Sequence, residues 1–137
     1  MIYQTLTLSF KEQILKAQHN LLTDTIKLAL YYSTANLSED TTVYTPSDEV
    51  SGGGYSAGGV VLTGVSINTL NKVVYVNFGN ASWSPASFTA AGALIYNATN
   101  SNKSIAVLSF GNDKVASNSF VVQMPSNTYN SSLIRFV

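Results

Sequence analysis

The chain is 137 residues long, and only 10% of them are charged, against about 25% in an ordinary globular domain. Seven Lys and Arg balance seven Asp and Glu, so no basic excess exists to hold a nucleic-acid backbone. With no Cys and a single His, the chain has no disulfide, no thiolate nucleophile and no imidazole set for zinc. Hydrophobic residues make up 45%, which suffices for one domain with its own core, so a single β-rich domain over 1–137 is expected.

The opening residues, Met1 to Phe10, carry no cationic stretch of the secretory kind, and no apolar run is long enough to span a membrane. The expectation is a protein made and kept in the cytosol unless an assembly carries it elsewhere. Ser9-Phe10-Lys11-Glu12 fits a capping box, with Ser and Glu three residues apart. Phe10, Ile14, Ala17 and Leu21 then fall on one helical face, so a short helix is predicted over 9–20. From Thr25 the period becomes two: Ile26, Leu28, Leu30 and Tyr32 alternate with Lys27, Ala29 and Tyr31, which predicts a strand. Residues 33–51 keep no period and read as a long polar loop.

Strands are expected at Val60–Ile67, Lys72–Phe78, Phe88–Tyr96, Ser104–Phe110 and Ser119–Met124, with a last one in the tail from Leu133 to Val137. Asn68 to Asn71, Asn97 to Asn102 and Gly111-Asn112-Asp113 read as the turns between them. Residues 25–137 therefore point to a mainly β fold, an antiparallel β-sandwich or barrel, with the short N-terminal α-helix packed on it.

Motifs that would carry chemistry are missing. His19 has no Ser and Asp partner pattern around it and is placed near the helix C-terminus, where a cation is favoured. The carboxylates fall in two adjacent pairs, Glu39/Asp40 and Asp48/Glu49, both in the polar loop and read as solvated charge rather than a glycosidase pair or calcium loop. No enzyme activity, cofactor or metal is expected. Trp83 reads as a core anchor, although with Tyr31, Tyr32 and Asn side chains it would also suit a carbohydrate-binding module for host adhesion.

The most distinctive segment is Ser51-Gly52-Gly53-Gly54-Tyr55-Ser56-Ala57-Gly58-Gly59. It lacks the Lys of a phosphate loop, so it reads either as a connection pinned by the Tyr55 ring or as a loop that orders against another subunit. A neutral β-rich chain has few charges to protect its strand edges, and interfaces favour Tyr over charge, so the composition suits a subunit of a large, homo-oligomeric assembly. The predicted partner contacts are Tyr3 and Phe10, the loop residues Gly52, Gly53, Gly54, Tyr55, Gly58 and Gly59, and the tail Arg135, Phe136 and Val137.

Several of these segments also occur in a characteristic order: Asp24-Thr25-Ile26-Lys27-Leu28-Ala29-Leu30, then Glu49 to Gly59, Trp83, Ala93-Leu94-Ile95-Tyr96-Asn97, and Ser109-Phe110-Gly111. The order resembles a family of small structural proteins of tailed bacteriophages, whose pattern runs D-T-I-K-V-A-L, E-V-S-G-x-G-Y-x-x-G-G, W, A-x-I-Y and D-F-G. The likeness spans about residues 24–111; Ser109 stands where the family has an Asp, and Asn112 to Val137 match weakly. The resemblance implies a virion component without catalytic motif, bound to the major capsid protein or other virion subunits as a decoration or cement protein. A tail or head–tail joining role is the nearest alternative.

Overall fold

The computed structural model describes residues 1–136; Val137, one of the predicted contacts, lies outside them. A two-residue strand, β1 (Thr5–Leu6), leads into α1 (Leu8–Leu15), the one α-helix among the described residues. The helix starts earlier than the capping box predicts. Thr7 is the N-cap: its backbone is extended and its Oγ1 accepts from the Phe10 N–H at 3.3 Å. Ser9 is already inside the helix and turns its hydroxyl towards Ser104. The helix also ends five residues before Asn20. Ala17 takes φ +58°, the Gln18 N–H reaches Gln13 O and the Ala17 N–H reaches Ile14 O, the Schellman pattern normally built with Gly. Ala gives no warning of this in the sequence.

The strands that follow are β2 (Ile26–Tyr31), β3 (Val60–Val61), β4 (Ser66–Leu70), β5 (Val73–Asn77), β6 (Ala81–Trp83), β7 (Thr89–Asn97), β8 (Lys103–Val115), β9 (Phe120–Val122) and β10 (Ile134–Phe136). They form an antiparallel five-stranded sheet β1-β8-β7-β2-β3, a three-stranded sheet β10-β5-β4 and a two-stranded ribbon β6-β9. The fold is mainly β with one short helix. The sheets share a core as in a sandwich and, among the described residues, do not close into a barrel.

Alternation along β2 sets the layers. Ile26, Leu28 and Leu30 point into the main core with Phe10, Val76, Trp83, Phe88, Ile95, Ile105, Phe120 and Ile134. Ala29 and Tyr31 point to the opposite face, where they meet Leu94, Tyr96, Val107, Ala35 and Leu37. Two irregularities in the β7–β8 ladder, between Ala90 and Gly92 and between Ile95 and Tyr96, break the parity. They let Ala90 and Ala93, and Ile105 and Ala106, share the main core although odd and even positions should separate.

The polar loop 33–51 is not a free excursion. It crosses the second face of the five-stranded sheet and is bonded along its length: Tyr3 N–H to Leu37 O, Leu8 N–H to Glu39 O, Ser104 N–H to Thr42 O, Tyr44 N–H to Asn102 O and Val50 N–H to Leu30 O. Its Ala35 and Leu37 are buried and cover Tyr31, Leu94 and Tyr96. The sheet is thus covered on both faces, which explains why β7 is buried almost throughout.

Two strand boundaries differ from expectation for local reasons. The run Val60–Ile67 is cut at Gly64 (φ +66°), giving β3 and β4. The hairpin turn then sits one pair later, at Asn71-Lys72, both with positive φ, the two-residue turn whose twist suits paired strands. Gly111-Asn112-Asp113 is no turn: β8 continues through it to Val115, with the register slip absorbing the extra residues.

Candidate functional site

Glu49 corrects the reading of Asp48/Glu49 as solvated charge. Asp48 is exposed and accepts from Thr34 Oγ1 at 3.0 Å, but Glu49 is buried. Its Oε1 accepts from the Tyr44 hydroxyl at 2.6 Å, and its Oε2 accepts from the Tyr55 hydroxyl and from the Gly58 N–H at 2.8 Å. The Tyr55 oxygen in turn accepts from the Leu30 N–H at 2.9 Å, and the Tyr96 hydroxyl donates to Gly58 O at 2.6 Å. One carboxylate therefore ties the polar loop, the glycine segment and β2 together.

Burial, and then the neighbouring Glu49 carboxylate, push the hydroxyls of Tyr55, Tyr44 and Tyr31 well above the ordinary tyrosine range, and that of Tyr96 up to about 12. They stay protonated and serve as donors, so the cluster is an acceptor fully surrounded by donors rather than an acid–base pair.

Three glycines of the segment, Gly53, Gly54 and Gly59, lie where the backbone leaves no room for a side chain. A Cβ on Gly53 would stand 1.9 Å from Ser87 O, on Gly54 2.3 Å from Pro85 O, and on Gly59 1.8 Å from Leu28 O. Positive φ at each adds a reason for Gly. Tyr55 is buried and its ring packs against Trp83 and Phe88, with Phe120 completing the cluster. The predicted pinning of the segment by Tyr55 is what the geometry shows, through the hydroxyl as much as the ring.

Of the other predicted contacts, Phe10 has no exposed surface and its ring packs at a tilt against His19, centroids 5.1 Å apart, so it belongs to the core. Tyr3 and Phe136 are exposed at 58% and 44%, and Arg135 is also at the surface, where its Nη1 donates to Asn130 O. Gly52 is exposed, and no atom crowds a Cβ there. Tyr3 bonds through its backbone to Leu37, while the tail pair lies on β10 of the three-stranded sheet.

His19 is not a cation at a helix end. It is buried, bonds Gln13 Oε1 through Nε2 at 2.8 Å, and its Nδ1 lies 3.0 Å from Asn97 Nδ2. Asn97 also donates to Asp24 Oδ2, and so joins the post-helix turn to β7. An amide nitrogen only donates, which makes Nδ1 the acceptor and Nε2–H the donor. Burial lowers the His19 pKa, with Lys103 acting in the same direction.

Sequence reasoning passed over β4. Its residues are exposed apart from a half-buried Ser66, and only β5 pairs with it. Residues 62–71 contain no Asp, Glu, Lys, Arg or Pro. Exposed Ile67 and Leu70 lie on this edge strand, and exposed Val74 lies on β5 next to it. The signal available in the sequence was that absence of charge, obscured because Asn68 to Asn71 read as a turn.

Among the described residues no three His, Cys, Asp or Glu side chains gather as metal ligands, and no helix is long and apolar enough to cross a membrane. Comparison with protein-family models, with curated proteins and with solved structures returns no match.

Proposed function

We propose that this protein is a non-enzymatic structural subunit of a tailed-bacteriophage particle that binds the capsid shell as a decoration or cement protein. The observation that carries this reading is the open, uncharged β4 edge flanked by exposed apolar side chains. Sheet edges that must stay single are normally guarded by Lys, Pro or bulges. Here none of these stands on β4, while the charged and aromatic groups that could do chemistry, Glu49, His19, Tyr55 and Trp83, are spent on internal bonds and packing.

The mechanism is adhesion. Tyr3 and the Arg135–Phe136 tail give further exposed contacts apart from the edge. Modest interfaces repeated over a shell add through effective concentration, so each contact can be small. Of the three rings a glycan-binding reading would use, Trp83 and Tyr31 are buried and only Tyr32 reaches the surface.

The test is copy number in purified particles, by quantitative mass spectrometry against the major shell subunit. A near-stoichiometric ratio is expected. A few copies per particle would move the protein to the tail or neck, and absence from particles would overturn the virion reading.

A further inference from the structure

We infer that β4 is a homotypic interface, pairing antiparallel with β4 of a second copy of this chain about a twofold axis at Asn68. The inference deepens the assembly reading by naming the edge through which copies join, and rests on it for its biological setting. Its chemistry rests on the strand itself.

The turn fixes which backbone groups are free. Asn71 and Lys72 form a two-residue hairpin loop, so the flanking pair Leu70 and Val73 exchange hydrogen bonds. Alternation along an antiparallel ladder then turns Ser66, Asn68 and Leu70 towards β5, and the N–H and C=O groups of Ile67 and Thr69 outwards. No backbone bond from another segment reaches these outward groups. With the axis at Asn68, Ile67 of one copy faces Thr69 of the other, and the two copies exchange four backbone bonds. The product is a six-stranded sheet β10-β5-β4-β4-β5-β10.

Charge selects the occupant and its direction. The nearest ionisable group in sequence is Lys72, and antiparallel pairing about Asn68 sets it opposite the uncharged Gly64 of the other copy. Parallel pairing would instead bring Lys72 against Lys72. A strand rich in charge would bury that charge against an edge with nothing to answer it.

The other free edges fit less well. β1 and β3 have two residues each, β6 and β9 three each, β10 carries Arg135, and β8 beyond Ser109 carries Asp113 and Lys114 and a register slip. β4 is regular, its register running unbroken from Ser66–Asn77 to Leu70–Val73. Five-residue strands make a small contact, so the dimer is a weak one that a particle surface reinforces by repetition.

The experiment is sedimentation equilibrium of the purified chain. A concentration-dependent dimer is expected, with a Kd between about 1 μM and 1 mM. The double variant Ile67→Lys/Thr69→Lys, on exposed positions that leave the β4–β5 ladder intact, places like charges opposite one another and should raise that Kd at least about tenfold. Ile67→Glu/Thr69→Glu should do the same, and mixing the two variants should restore a heterodimer. Wild-type chain that stays monomeric to roughly 1 mM, a dimer indifferent to the lysine pair, or no recovery on mixing would each overturn the inference. None of these results bears on copy number in particles, so the two readings fail separately.

Discussion

Tyr55→Phe removes one oxygen atom with two duties. The hydroxyl donates to Glu49 Oε2 and accepts from the Leu30 N–H, and Leu30 is fully buried. Losing a bond to a charged group costs about 1.5–3 kcal/mol, and stranding a buried N–H costs about 1–3 kcal/mol. Glu49 keeps Tyr44 and the Gly58 N–H as donors, which moderates the first figure. The expected loss is about 3 kcal/mol. Tyr44→Phe takes away only a donor to Oε1, on a half-buried ring, and should cost about 1–2 kcal/mol. Tyr32→Phe removes an acceptor for the exposed Ser51 N–H, which water can replace, and should cost below about 0.5 kcal/mol. Urea unfolding followed by far-UV circular dichroism gives all three, with an unchanged m-value required for the comparison. If Tyr55→Phe is no worse than Tyr44→Phe, the carboxylate does not organise the loop as argued.

The glycines give a sharper contrast. Gly59→Ala meets Leu28 O and should cost more than about 4 kcal/mol, visible as loss of soluble protein, whereas Gly52→Ala meets no atom within 4 Å and should cost about 1 kcal/mol in melting experiments. His19 titrates with a lowered pKa in the folded chain, so between that value and the ordinary 6.5 the unfolded chain binds more protons. Stability should therefore fall as pH drops from 7 through that window, and His19→Gln should flatten the slope of melting temperature against pH. Trp83, the only Trp, should emit at short wavelength, resist iodide quenching and ignore added oligosaccharides; Trp83→Ala should cost about 3–5 kcal/mol in the same unfolding assay.

Where side-chain period alone decides, the sequence reading and the structure coincide: Ile26, Leu28 and Leu30 make β2, and Ile134 to Phe136 make the last strand. Departures come from backbone features that residue types disguise. Ala17 does the work of a helix-ending Gly, and Asn71-Lys72 turn a corner that Asn68 to Asn71 seemed to occupy. The Glu49 cluster was illegible for another reason. A carboxylate looks solvated until the fold brings Tyr44, Tyr55 and Gly58 to it, and only the last two lie in the glycine segment that stood out. The β4 edge was legible only as missing charge, which means nothing until the strand order shows that β4 lies at the rim of its sheet.

Strand order also sets the sequence of events during folding. The β4–β5 and β7–β8 hairpins join neighbours in the chain, and such local contacts form early. β1 and β10 wait for remote partners: Thr5 pairs with Val107, and Ile134 with Val76. Until residues 134–136 are made, the β4–β5 hairpin is bare on both sides. A growing or refolding chain thus passes through a stage in which β5 can accept a β10 from any neighbouring copy. Lower chain concentration during refolding therefore favours molecules that finish with their own tail in place.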